Sequence, residues 1–241
     1  MNRKLFFPLL LLFSLFSPIL KAETITIAAG AGYKRPLMEI AEQYERKSGS
    51  HVDAVFGNMQ QVISQAQMSG NVSIIFGDRT FFDHSPITFS NYYPVGKGTL
   101  VLAWRSGLHL KKITDIREKG ITRVGIPDAK KAIYGRVAAE YLKKSGLSEA
   151  VGSKLLVVST VPQVSAYLVS GEIDAGFINI TDAIGIQDNI GGYLAADPSL
   201  YTPIHIQAGV VKGFETQAQV KGFLQFLKEN ECAALLRKYG L

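Results

Sequence analysis

Residues 155–178 read LLVVSTVPQVSAYLVSGEIDAGFI. The first four are an apolar, partly β-branched run that reads as a strand. Pro162 suits the first turn of a helix, where its missing N–H is no loss, and Gly171 follows the last turn of a helix over 161–170. Residues 173–178 then read as another strand. A strand–helix–strand unit of this kind builds a parallel sheet covered by helices.

The same unit recurs outward in both directions. Upstream, a strand over 122–126 leads into a helix over 131–144, with Gly146 after it. In the first part of the chain, 24–29 alternates as a strand does. The helix over 36–47 carries Leu37, Ile40, Ala41 and Tyr44 on one face, with Pro36 in its first turn and Gly49 past its end. A strand over 52–56 is followed by Asn58, a good N-cap, and by a helix with Met59, Val62, Ile63 and Ala66 inward, closed by Gly70. Further strands are expected over 72–76, 98–104 and 204–211. Thr181 is expected to cap the segment after 173–178. A helix over 216–230 has Val220, Phe223, Leu224 and Leu227 on one face, and a last helix runs to the C-terminus.

Two such sets make an α/β protein of two lobes, each a mainly parallel sheet flanked by helices. Lobe 1 is expected over 23–102 and 204–241, lobe 2 over 103–203. Ligands of such sheets bind at the carboxyl ends of the strands, where helices begin. A cleft between two lobes gathers several helix N-termini around one point, which favours an anion.

Composition excludes other classes. The chain has 241 residues, 47% hydrophobic and 19% charged, which rules out disorder; one cysteine rules out a disulfide framework. Residues 1–22, MNRKLFFPLLLLFSLFSPILKA, join a basic start to an apolar run and end on small Ala22. That is the pattern of a secretory signal peptide cleaved near Ala22. The run is short for a membrane span and holds Pro8 and Pro18. Three of the 26 basic residues (Arg3, Lys4, Lys21) lie in this segment, so the formal charge of +6 falls to +3 in the mature chain, against 20 acidic residues. That residue of charge, and the lack of basic–aromatic clustering, argue against nucleic acid. Cys232 lies in a helical pattern and reads as a small buried hydrophobe.

Residues that carry covalent chemistry are scarce. His51, His84, His109 and His205 are scattered, and there is neither a G-x-S-x-G elbow nor an HExxH pair. Asp83-His84 has no spaced partners for a metal. The expectation is a protein without enzymatic activity or cofactor. The loop Gly30-Ala31-Gly32-Tyr33-Lys34-Arg35 follows a strand and precedes a helix. It lacks the third glycine of a dinucleotide fingerprint, and its small residues would let a ligand reach backbone N–H groups.

Residues 159–178 resemble the V-x-x-x-L-x-x-V-x-x-G-x-x-D-A-G stretch of the periplasmic molybdate-binding proteins of ABC importers. Thr181-Asp182-Ala183 is similar to the S-D-A that follows in that family. Ile126-Pro127-Asp128 with Gly135-Arg136, Val210-Val211-Lys212-Gly213, Lys238-Tyr239-Gly240-Leu241, and Glu39-Ile40-Ala41 with Phe56-Gly57 match further segments in the same order. The resemblance covers nearly the whole mature chain. It implies a type II periplasmic binding protein, a monomer, that closes over a tetrahedral oxyanion and delivers it to a membrane ABC permease. The anion would be held by uncharged donors, backbone N–H groups and hydroxyls.

At the contact positions this sequence departs from that family. The first-loop serine falls near Ala31 or Gly32, the second serine at Asn58, and the tyrosine at Asn179. Val161 stands where the family uses a backbone N–H. Tyr134 replaces a small residue before Gly135 and is expected to reach the cleft from the second lobe. The resemblance therefore selects Gly30, Ala31, Gly32, Tyr33, Asn58, Tyr134, Val161 and Asn179 as ligand-binding candidates, with Lys34, Arg35, Met59 and Arg79 in second rank. Molybdate or tungstate leads; sulfate, chromate, phosphonate-like and carboxylate ligands stay open, because Asn, Arg and Lys suit many anions. A periplasmic ligand-sensing module of a signalling system would share the fold.

Overall fold

The computed structural model describes residues 24–241, so the expected export segment lies outside the described residues. The elements in chain order are β1 (Thr24–Gly30), α1 (Lys34–Ser48), β2 (His51–Gly57), α2 (Met59–Ser69), β3 (Ile74–Asp78), α3 (Arg79–Asp83), β4 (Phe89–Gly98) and β5 (Leu100–Arg105). They continue with β6 (Val124–Pro127), α4 (Ile133–Lys144), α5 (Ser148–Gly152), β7 (Leu155–Val158), α6 (Val161–Ser170), β8 (Ala175–Asn179), α7 (Ile180–Ile186) and β9 (Ile190–Ala195). β10 (Ile204–Val211), α8 (Ala218–Phe226) and α9 (Asn230–Lys238) close the chain.

Two five-stranded sheets result, ordered β2-β1-β3-β10-β4 and β7-β6-β8-β5-β9. In each, three strands are parallel: β2, β1 and β3 in the first, β7, β6 and β8 in the second. Two antiparallel strands extend each parallel core. The chain leaves the first sheet after β4 and enters the second at β5, so residues 100–102, expected in lobe 1, pair in the second sheet. It returns between β9 and β10. Both sheets bury aromatic and branched side chains, with Phe76, Phe177 and Phe223 fully enclosed. Each such burial is worth about 2–3 kcal/mol.

Local signals account for most boundaries. Gly49, Gly70 and Gly171 all take left-handed φ and end α1, α2 and α6. Asn58 caps α2 in a full capping box with Gln61. Elsewhere the structure corrects the expectation. The third strand starts at Ile74, not at 72. Asn179, not Thr181, caps α7, accepting from Asp182 N–H. The helix expected over 216–230 ends at Phe226, and α9 starts afresh at Asn230. β4 and β9, which carry little strand signal, are edge strands.

Asp174, within the Asp-Ala-Gly stretch, is a structural tie. Its carboxylate accepts from Thr122 N–H at 2.7 Å and Thr122 hydroxyl at 2.8 Å, from Arg123 N–H at 3.1 Å and from Arg105 Nε at 3.0 Å. Burial opposes ionisation, but these donors outweigh it and hold the group at about 2. Among the described residues no helix is long and apolar enough to cross a membrane.

Candidate functional site

Four chain segments leave the carboxyl ends of parallel strands and meet between the lobes. From lobe 1 come Gly30–Tyr33 after β1 and 57–59 after β2. From lobe 2 come 132–134, leading into α4, and 160–161 after β7. Together they line one cavity of about 20 Å³. A ligand of ordinary drug size needs several hundred cubic ångströms, so this space takes only a compact occupant.

Each segment starts a helix, and first-turn N–H groups have no acceptor inside their own helix. The sequence spends most of these donors and leaves a few at the cavity. In α2, Gln61 N–H goes to Asn58 Oδ1, Val62 N–H to Asn58 O and Gln60 N–H across the cleft to Lys131 O. Met59 N–H is left. In α6, Thr160 takes Gln163 N–H, Val164 N–H goes to Thr160 O, and Pro162 has none. Val161 N–H is left. α4 begins at Ile133 with no side-chain cap. Its first two residues, Ile133 and Tyr134, are in the cavity lining. The side-chain walls are mostly apolar (Ala31, Met59, Ala132, Ile133, Val161), which lowers the local dielectric and strengthens each donor.

Side-chain acceptors are turned away from this space. Asn58 Oδ1 caps α2, Asn179 Oδ1 caps α7 and Thr160 Oγ1 caps α6. The donor ends of both asparagines also have partners. Asn58 Nδ2 donates to Ser159 Oγ at 2.9 Å and Asn179 Nδ2 to Gly32 O at 2.9 Å, each spanning the two lobes. Tyr33 and Tyr134 hydroxyls lie 2.8 Å apart, again one from each lobe. Burial holds both phenols well above their ordinary range, so both are neutral hydroxyls at physiological pH.

Seven of the eight first-rank candidates line the cavity: Gly30, Ala31, Gly32, Tyr33, Asn58, Tyr134 and Val161, together with second-rank Met59. Asn179 is not in the lining; it is fully buried behind Gly32 and holds that loop. The three candidate cations are absent from the lining. Arg35 pairs with Asp182, which also accepts from Ser165 Oγ. Arg79 lies 2.6 Å from Asp83 and stacks on the Tyr92 ring at 3.9 Å. Lys34 is exposed. Each cation follows a strand end, but Arg35, in the first turn of α1, is committed across the lobes to Asp182 of α7, and Arg79 to Asp83 of its own helix.

Sequence reasoning missed Gly57, Ala132, Ile133 and Thr160 in the lining, and Ser159 as the partner of Asn58. The Thr160-Val161-Pro162-Gln163 run is a helix-start signature that could have placed Thr160 at the cleft. Ile133 and Ala132 carry no side-chain signal, because what they present is backbone. Another interlobe tie also went unseen: Asp78 at the end of β3 and Arg136 of α4 lie 3.6 Å apart.

Two α/β lobes joined by two crossings, with a donor-lined cleft between them, define a type II solute-binding protein. The pattern of the family described as bacterial extracellular solute-binding protein matches residues 25–241, and the chain belongs to that family. It is 27% identical over 239 residues to the molybdate-binding protein ModA of Rhodobacter capsulatus, covering 96% of this chain and 93% of that one. Its fold is similar to the periplasmic molybdate-binding protein of Azotobacter vinelandii, with a TM-score of 0.81 and 20% identity over 90% of this chain and 97% of that one. It is also similar to Campylobacter jejuni PEB3 with L-phospholactate bound, with a TM-score of 0.72 and 17% identity over 90% and 98% of the two chains.

Proposed function

We propose that this chain is an exported binding protein that captures a compact tetrahedral oxyanion, molybdate or tungstate foremost, in the interlobe cleft and delivers it to an ABC permease. The observation that carries this reading is the cavity itself: the residues that start α2, α4 and α6, whose first-turn N–H groups have no intrahelical acceptor, line one small space with no cationic residue among them. Partial positive charge at helix N-termini suits an anion. Neutral donors bind it without a buried ion pair, so release to a permease does not leave an uncompensated charge behind. Similarity to ModA over nearly the full chain supports molybdate as the leading ligand, and the leader-like segment 1–22 supports export to the periplasm.

Closure follows the usual linkage. The anion contacts donors of both lobes at once only when the cleft is shut, so binding shifts the population towards the closed form. Isothermal titration of the mature chain with molybdate, tungstate, sulfate, chromate and phosphate tests the proposal. Micromolar or tighter binding of at least one of the five is expected, with molybdate or tungstate tightest. Silence across all five would overturn the oxyanion assignment.

A further inference from the structure

The asparagines at the positions where related proteins place hydroxyls have Oδ1 and one of their two Nδ2 protons committed within the protein. Asn58 and Asn179 each commit Nδ2 across the cleft and Oδ1 to their own helix. Thr160 Oγ1 caps α6 as an acceptor and keeps its own O–H, a single hydroxyl contributed by one lobe. The tyrosine pair is different. Tyr33 and Tyr134 are both buried in the cavity lining, and among the described residues each hydroxyl has the other as its sole hydrogen-bond partner. Two hydroxyls joined by one hydrogen bond leave one O–H proton uncommitted.

We propose that Tyr33 and Tyr134 are the specificity-determining side-chain donors of this site, acting as a linked pair. One tyrosine donates to the other, and the second donates its free O–H to an oxygen of the anion. The donor chain runs from lobe 1 to lobe 2 or the reverse, so it is complete only when the cleft is shut. Donation to an anion makes the inner hydroxyl oxygen a stronger acceptor for its neighbour, so the two bonds reinforce each other. Asn58 and Asn179 then serve closure, and the tyrosines take over ligand contact. This inference rests on the oxyanion reading of the cleft.

Titration of the wild-type chain, Tyr33→Phe, Tyr134→Phe and the double variant with molybdate and tungstate tests it, with near-ultraviolet difference spectra recorded alongside. The variant of the tyrosine that contacts the anion should bind about 10- to 100-fold more weakly, the loss of one hydrogen bond to a charged group, and the variant of its partner about 2- to 10-fold more weakly, the loss of a neutral one. The wild-type chain should show a tyrosine difference band on anion addition, and the double variant none; a purely structural role would not produce that band. Thermal melts by circular dichroism identify a variant that fails to fold, in which case the other single variant carries the comparison. Unchanged affinity in the folded Phe variants, or no tyrosine band in an anion-binding wild type, overturns the role of the pair and leaves the oxyanion reading standing. A wild type that binds neither anion overturns both.

Discussion

Gly32→Ala should weaken anion binding about 10- to 100-fold while both lobes remain folded. Gly32 is buried at the cleft, and a Cβ there would sit 2.8 Å from Asn179 Nδ2, 3.1 Å from its Oδ1 and 3.2 Å from its Cγ. Those atoms belong to the opposite lobe, so hinge opening would separate them from Gly32. The asparagine has no room to yield, because it is fully buried and tied at both ends of its amide. The overlap therefore falls on the closed form and spares the fold of each lobe. Overpacking of this kind costs about 1–3 kcal/mol, which converts to the stated range. Titration with the anion that the wild type binds, paired with small-angle scattering, checks it. Weak binding and a larger radius of gyration in the presence of anion are expected; wild-type affinity would mean that the interlobe contact at Gly32 is not part of the bound state.

Gly135→Ala should be the more damaging change for stability. Its Cβ would lie 2.4 Å from Pro127 O, 2.5 Å from Asp128 O and 2.6 Å from Asp128 C. All three are backbone atoms at the end of β6, so no side-chain rotation relieves the clash. The first turn of α4 would have to move away from the sheet, and with it the N–H groups of Ile133 and Tyr134. A loss of at least about 2–3 kcal/mol is expected, at the upper end of overpacking effects. Urea denaturation measures it, with Gly152→Ala as the reference, since a Cβ at Gly152 meets nothing within 4 Å. Equal stability of the two variants would contradict the tight seating of α4.

The elements that frame the cleft were legible because their signals are local. Asn58 before an amphipathic run, Pro162 in a first turn, and glycines 49, 70 and 171 past helix ends each fix a backbone conformation on their own. The antiparallel edge strands β4 and β9 were not legible. β4 contains Pro94 and Gly96, which read as breakers, but Pro94 lies at a register shift opposite Gln207, where a missing N–H is tolerated. β9 holds Gly191 and Gly192; a Cβ at either would strike Trp104 within 2.7 Å, so packing and not strand propensity chose them.

The site divides in the same way. Residues presenting backbone N–H, such as Met59, Ile133 and Val161, can be placed only by knowing where helices start, and sequence located two of those three starts to the residue. The partners of Asn58 and Asn179 were invisible, because Ser159 and Gly32 lie 101 and 147 residues away along the chain. The cations misled for a simple reason. Arg35 and Arg79 follow strand ends, yet each is taken by a carboxylate, Asp182 of the opposite lobe or Asp83 of the same helix. A charge near a strand end is thus no guide to a charge at the ligand.

The central claim is that uncharged donors from both lobes hold an oxyanion in this cleft. A crystal structure of the mature chain grown with molybdate tests it most directly. The account predicts a tetrahedral anion whose oxygens accept from Met59 N–H, Val161 N–H and a hydroxyl of the Tyr33–Tyr134 pair, with no lysine or arginine nitrogen in hydrogen-bond range. An anion seated elsewhere, or one held directly by Lys34, Arg35 or Arg79, would contradict it.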